Sequence, residues 1–308
     1  MMQDNQDKHI LIIRPGAIGD SLLTFPIMHT LKATRHAHIT FVSNAAVLPL
    51  AQAWHVADAV DDYSDPRWSA LFADNGIQSP ALHTLISTCD LILCWLRDAE
   101  GIVQRNLSAI TNRGIIIAPG RPSEGEHIHI VDYLAQTANE NVHSRGGGGA
   151  DVGWRPLWSP VVPSHTTIPH TSIAIHPGSG GKHKCWPVPS FAALIQHLWQ
   201  QSIPVLLLGG PADHERIETL RQSLPIPPTN TLIDAPLLEV AETLRMCRGY
   251  VGNDSGITHL AAMTGIPTIA LFGPSDPTVW RPLGSKVTVL YEKSLENLPV
   301  ERVLQAIL

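Results

Sequence analysis

The chain has 308 residues, of which 44% are hydrophobic and 16% charged, with a net charge of −6. This is a globular composition with length for about two domains, and it excludes an intrinsically disordered chain. The acidic balance argues against nucleic acid as a partner, and no apolar run approaches the roughly 20 residues of a membrane span.

In chain order, short apolar runs read as buried strands at His9–Arg14, Ile39–Ser43, Asp90–Leu96 and Gly114–Ala118. They recur at Ser172–His176, Pro204–Gly209, Tyr250–Gly252 and Thr268–Phe272, with a last one at Lys286–Leu290. Between them lie helix-length stretches at Asp20–Arg35, Asp98–Ile110, Ser190–Gln201, Asp213–Leu224, Leu237–Cys247, Ser255–Thr264 and Leu295–Leu308. Pro26 predicts a kink or a short first segment in the first of these. Strand and helix alternating in this way predict parallel sheets covered on both faces. The alternation breaks at residues 143–170, where Gly146–Gly149 are followed by Pro156, Pro160, Pro163 and Pro169. That is linker chemistry, and it sets a domain boundary near residue 165. Each half then opens with an apolar strand ending in Pro-Gly, at Pro15-Gly16 and Pro177-Gly178.

The start of the chain, MMQDNQDKHILIIR, has neither the basic opening nor the cleavage site of a signal peptide. Cys89, Cys94, Cys185 and Cys247 form no CxxC pair. They read as free thiols of a reducing compartment, not as a disulfide frame or a zinc site.

Five segments carry candidate chemistry. Arg14-Pro15-Gly16-Ala17-Ile18-Gly19-Asp20-Ser21 runs from a strand through a glycine turn into a helix, with Asp20 or Ser21 expected as N-cap. Its GxxG spacing is not the GxGxxG dinucleotide fingerprint. His176-Pro177-Gly178-Ser179-Gly180-Gly181-Lys182-His183-Lys184-Cys185-Trp186-Pro187 offers backbone N–H groups and two lysines, without the order of a P-loop. Gly209-Gly210-Pro211-Ala212-Asp213-His214-Glu215 could hold ribose hydroxyls on a carboxylate, or simply start a helix. Gly252-Asn253-Asp254-Ser255-Gly256-Ile257-Thr258-His259 places free first-turn amides at the positive end of a helix, a ready anion site. Phe272-Gly273-Pro274-Ser275-Asp276-Pro277 is a stiff turn at the same sheet edge. The pairs His36/His38 and His127/His129 could each share one face of a strand, but no nearby acid or cysteine completes a metal set. No GxSxG elbow is present, which excludes the usual serine hydrolase pattern.

Together, RPGAIGDSLLTFP, HPGSGGKHKCWP and GNDSGITHLAAMTGIPTIALFGPSDP resemble the family 9 glycosyltransferases, the bacterial heptosyltransferases. The resemblance runs from residue 9 to about 285 and is most specific between Gly252 and Pro277. It implies a GT-B architecture, two Rossmann-like domains facing across a cleft. Residues 1–165 would bind the acceptor and 166–294 the nucleotide sugar, with the helix 295–308 packing back on the first domain.

The implied reaction is inverting transfer of a sugar, typically heptose from ADP-heptose, to a glycan or glycolipid acceptor of the lipopolysaccharide core. Asp20 would be the general base and Lys184 would neutralise the leaving diphosphate. Ser179, Gly180, Ser255 and Gly256 would hold its oxygens, Asp254 and His259 would orient the site, and Glu215 would bind ribose. The scheme needs no cofactor or metal, and it places the protein in the cytoplasm with at most peripheral membrane contact. The first 165 residues carry 11 basic and 16 acidic side chains, so an anionic acceptor calls for a local patch, with Arg67, Arg97 and Arg105 as candidates. Two other readings use the same residues. One is a GT-B enzyme with another donor, including a sugar-nucleotide epimerase. The other is a nucleotide-binding protein without catalysis.

Overall fold

The computed structural model describes residues 8–138, 168–228 and 230–307. They form two compact units, one on either side of the stretch 139–167. The boundary expected near residue 165 and the glycine run Gly146–Gly149 lie outside the described residues.

The first unit contains β1 (His9–Ile13), α1 (Ile18–Leu22), α2 (Phe25–Arg35), β2 (His38–Ser43), α3 (Leu48–Ala53) and β3 (Ala59–Asp62). It continues with α4 (Pro80–Thr88), β4 (Leu91–Trp95), α5 (Ile102–Ser108), β5 (Gly114–Ala118) and α6 (Ile130–Thr137). The sheet is parallel throughout, in the order β3-β2-β1-β4-β5. Ile10–Ile13 of the central strand are fully buried. Each such side chain contributes roughly 1.5–3 kcal/mol relative to exposure. One side of the sheet packs on Phe25, Phe41 and Trp54, whose rings meet edge-on at 6.0–6.2 Å. The other side packs under Trp68, Leu82, Ile86 and Leu107.

The second unit contains β6 (Ile173–His176), α7 (Val188–Gln200), β7 (Val205–Gly209), α8 (His214–Gln222), β8 (Asn230–Ile233) and α9 (Leu237–Met246). Then follow β9 (Gly249–Asn253), α10 (Gly256–Met263), β10 (Thr268–Phe272), α11 (Pro277–Trp280), β11 (Val287–Tyr291) and α12 (Val300–Ile307). Its six strands are also parallel, in the order β11-β10-β9-β6-β7-β8. Numbered within the unit, this is the doubly wound 3-2-1-4-5-6 order of the Rossmann fold, and the first sheet has its first five strands. The chain switches direction between β1 and β4, and again between β6 and β9. Ligand crevices in such sheets form at those points, outside the carboxyl ends of the strands.

Several boundaries differ from expectation. The stretch Asp20–Arg35 is two helices that part at Leu23–Thr24, and Pro26 stands in the first turn of the second, where its missing N–H is not needed. The last stretch is a 3₁₀ turn, Leu295–Asn297, followed past Pro299 by α12. That closing helix, which the resemblance takes back to the first domain, has Val303 and Leu304 buried in the core of the second unit, against α7. His36 ends α2 in a left-handed conformation (φ 49°) and His129 caps α6, so neither histidine pair shares a strand face. Among the described residues, no helix is long and apolar enough to cross a membrane.

One buried side chain joins the two central strands of the second sheet at their carboxyl ends. Asn253, fully buried at the end of β9, donates from Nδ2 to the carbonyls of Pro177 (2.7 Å) and Gly178 (3.2 Å) after β6. Its Oδ1 accepts the Trp186 N–H at 2.8 Å. Trp186 is itself buried, edge-on to Phe191, and its Nε1 donates to the Leu298 carbonyl at 2.9 Å. Replacing Asn253 by Ala strands two buried backbone groups, the Gly178 carbonyl and the Trp186 N–H, each costing about 1–3 kcal/mol, while the Pro177 carbonyl keeps the Arg216 guanidinium. Asn253→Ala is therefore expected to lower unfolding free energy by about 2 kcal/mol or more, measured by urea titration of the whole chain.

Candidate functional site

In the second unit the loops after β6, β7 and β9 converge at the switch point. The β6 loop makes a short 3₁₀ turn at Lys182–Lys184 and is then anchored by Trp186, two residues past Lys184. This directs Lys184 to the mouth of α10. Its Nζ lies 2.9 Å from Asp254 Oδ2, with Asp254 buried and Lys184 about one-third exposed. Ser179 Oγ donates to the Asp254 carbonyl at 2.6 Å. Ser255 is the N-cap of α10, its Oγ accepting the Thr258 N–H at 3.4 Å. The N–H groups of Gly256 and Ile257 have no partner within the helix, as helix geometry dictates. The cluster thus offers a partly exposed ammonium, two hydroxyls and helix-start amides on one small surface. This is chemistry suited to an oxyanion of a phosphate group.

Three expected residues stand apart from this cluster. Glu215 is on the solvent side of α8, 82% exposed, in an ion pair with Lys182 at 3.0 Å. A pair this exposed contributes little to stability. His259 is buried one turn further along α10, its N–H bonded to the Ser255 carbonyl at 3.3 Å. At Gly180 an added Cβ would meet nothing within 4 Å, so no close approach requires glycine there.

The glycine that does meet a crowded surface is Gly178, where a Cβ would fall 1.8 Å from Asp213 Oδ1. Asp213 and His176 are the residues that the sequence reading passed over. His176 Nε2 lies 3.0 Å from Asp213 Oδ2, and its Nδ1 lies 3.4 Å from Ser255 Oγ. Both side chains are buried, and the Gly210 N–H donates to Asp213 Oδ2 at 2.9 Å. Burial works against the ionised Asp213 carboxyl. The His176 hydrogen bond and charge, the Gly210 N–H and nearby Arg216 outweigh it and hold its pKa below the ordinary carboxylate value. Arg216 fixes the same loop from beneath, donating to the carbonyls of Pro177 (2.7 Å) and Trp186. Both missed acids and bases lay inside motifs already singled out; Asp213, two residues before Glu215, is the one that points inward.

In the first unit the corresponding switch point is lined by Arg14, Asp20, Tyr63, Trp95, Arg97 and Arg121, around an open pocket of ≈ 430 Å³. The expected cap is corrected here. Ala17 caps α1, and Asp20 occupies the third helical position, returning its Oδ2 to the Ala17 N–H at 3.1 Å. Ser21 turns inward and meets Ser43 Oγ at 2.7 Å. Asp20 Oδ1 accepts from Arg14 Nη2 at 3.0 Å, with about one-third of the Asp20 side chain exposed. Of the expected basic patch, Arg67 is taken up by Asp61 and Asp65, and Arg105 lies by Asp74. Arg97 alone lines the pocket, joined by Arg121, which sequence reasoning missed.

Comparison with known proteins fits this description. Residues 161–305 match the family model Glycosyltransferase family 9 (heptosyltransferase). Lipooligosaccharide heptosyltransferase 2 of Haemophilus influenzae is 34% identical over 38% of this chain and 36% of its own length. Lipopolysaccharide heptosyltransferase 2 of Salmonella typhimurium is 29% identical over 43% of this chain and 44% of its own length. The matched part thus spans less than half of these curated relatives. In structure, the glycosyl transferase family 9 protein of Veillonella parvula superposes with a TM-score of 0.74 at 18% identity, covering 99% of this chain and 97% of that one. The E. coli ADP-heptose lps heptosyltransferase II gives 0.72 at 22% identity, covering 97% of each. The fold class is therefore the one expected, two parallel-sheet Rossmann-like domains of the GT-B type.

The depressed Asp213 pKa gives a pH signature. A carboxyl whose pKa is lowered on folding adds stability above its unfolded pKa and loses it as pH falls through the folded one. Wild type should be more stable than Asp213→Asn at neutral pH. The gap in urea midpoint should narrow as pH drops below about 4, where the unfolded carboxyl begins to take up its proton.

Proposed function

We propose that this chain is an inverting heptosyltransferase of glycosyltransferase family 9, the family whose model its residues 161–305 match. It takes heptose from ADP-heptose and passes it to an acceptor of the lipopolysaccharide core. The observation that carries this reading is the cluster at the start of α10, with the Lys184 ammonium 2.9 Å from Asp254 and Ser179 and Ser255 beside it. The matched segment spans all four residues. The relatives' names support the sugar, the donor and the acceptor class.

In this scheme the second unit holds the donor. Lys184 and the α10 amides take the charge that grows on the diphosphate as the anomeric C–O bond breaks, and the electron pair leaves with ADP. Charge neutralisation by these groups leaves no step that requires a metal ion. The first unit holds the acceptor by its pocket. The acceptor hydroxyl oxygen forms the new bond on the face opposite the leaving group, and its proton passes to Asp20. Asp20 suits this task by being a carboxylate with each oxygen held by one hydrogen bond and about a third of its surface open. The reaction belongs on the cytoplasmic side, with the membrane met only through the acceptor.

Two measurements test this. Calorimetric titration with ADP, UDP and GDP should give binding by ADP, weakened about tenfold or more by Lys184→Ala, which removes a charged hydrogen bond worth about 1.5–3 kcal/mol. Preference for UDP or GDP would move the donor to another sugar class, and absence of binding would favour a role without this chemistry. Asp20→Asn should lower transfer by about 10²–10⁴-fold, as loss of a general base does, while ADP binding stays within about threefold. Full turnover by that variant would remove Asp20 from the reaction.

A further inference from the structure

Arg14 closes β1 and is held there by its backbone. Its N–H donates to the Val42 carbonyl at 2.9 Å, and its carbonyl accepts the Ser43 hydroxyl at 2.6 Å. Its side chain is only 4% exposed, yet it is spent sparingly. Nη2 reaches Asp20 Oδ1 at 3.0 Å, while the buried Nε has no hydrogen-bond partner among the described residues. A guanidinium that merely braced a core would distribute its donors over carbonyl oxygens, since a buried charge and a buried unpaired N–H are both costly. Here that cost is carried for a single carboxylate at a pocket edge.

The surroundings are cut to this pair. At Gly120 an added Cβ would fall 1.8 Å from Arg14 Nη1, so the absence of a side chain there makes the slot for the guanidinium. At Gly16, with φ +146°, a Cβ would fall 2.8 Å from Asp20 Cβ. Burial pushes the Arg14 pKa down and the Asp20 charge pushes it back, and a guanidinium keeps its proton across the working range.

We infer that Arg14 is a positioning residue for Asp20: with the Ala17 N–H it fixes the carboxylate at the edge of the first-unit pocket, and Gly120 is the vacancy that allows it. Arg14 binds one carboxylate oxygen and Ala17 the other, so Asp20 has one orientation with lone pairs left for the incoming hydroxyl. Lysine cannot reproduce the geometry, because a point charge on a flexible stem does not hold a carboxylate in one plane. This inference rests on the reading of Asp20 as general base.

The test is a double-mutant cycle with Arg14→Lys and Gly120→Ala, each alone and combined with Asp20→Asn. The readouts are kcat and KM for ADP release from ADP-heptose with a heptose-deficient lipopolysaccharide core acceptor, together with the melting temperature. Each single variant should lower kcat about 10–100-fold, the scale of a misplaced reacting group, with the donor KM within about threefold. In the Asp20→Asn background neither substitution should lower the residual rate by more than about twofold, because residues acting as one unit are not additive.

Losses that multiply in that background overturn the inference, since Arg14 would then act independently of Asp20. Arg14→Lys at the wild-type rate beside an inactive Asp20→Asn also overturns it, and leaves the base reading standing. Full turnover by Asp20→Asn alone overturns the base reading, and this inference with it. Loss of the folded state in both Arg14→Lys and Gly120→Ala marks Arg14 as a structural brace and overturns the inference.

Discussion

A parallel sheet delivers the ends of all its strands to one edge, and where the winding reverses two neighbouring strands leave a gap between their following loops. Both units of this protein are built on that constraint. Every polar side chain with a plausible chemical role leaves the sheet at such an edge: Arg14 and Asp20 after β1, Lys184 after β6, Asp213 after β7, and Asp254 and Ser255 after β9. The helices and cores then serve to keep those edges in place. In the second unit the tie is explicit, since one buried amide, Asn253, holds the loop of the neighbouring strand by three hydrogen bonds.

The two edges differ in how they treat charge. In the second unit the cation is about one-third exposed and the acid is buried, so the group open to solvent is Lys184. In the first unit the cation is buried and the acid is the more open partner, so the group open to solvent is Asp20. The same ion-pair chemistry, reversed in depth, presents a positive site on one domain and a negative site on the other. That division suits a reaction in which one substrate leaves as an anion and the other gives up a proton.

Much of this was legible from residue patterns. The interior strands were found because burial on both faces produces unbroken apolar runs such as HILII and TIALF. The strands that were missed, β3 and β8, are edge strands of four residues, AVDD and NTLI, with one paired side and only partial burial. Nothing in their composition separates them from loop. The helices α3, α4 and α6 were missed where six to nine residues left too little period to read, although Ser79-Pro80 does carry a cap and first-turn proline. At the sites, the motifs located the right loops but not which side chain faces inward. Asp213 and Glu215 are two positions apart in one turn, and only the fold makes one a buried partner of His176 and the other a solvated surface residue. Arg14 was read as the end of a strand; its reach to Asp20 depends on the space left by Gly120, more than a hundred residues away.

The ion pair at the mouth of α10 also bears on how long a ligand stays. Lys184 already has a carboxylate 2.9 Å from its nitrogen, and that carboxylate is fixed to a strand end. Any anion arriving there must share the lysine with Asp254, and any anion leaving has a competitor waiting to reclaim it. Such an internal counter-ion trades residence time for exchange rate. In the proposed reaction the anionic product is a fragment of the donor, and that exchange would keep spent molecules from occupying the place of fresh ones.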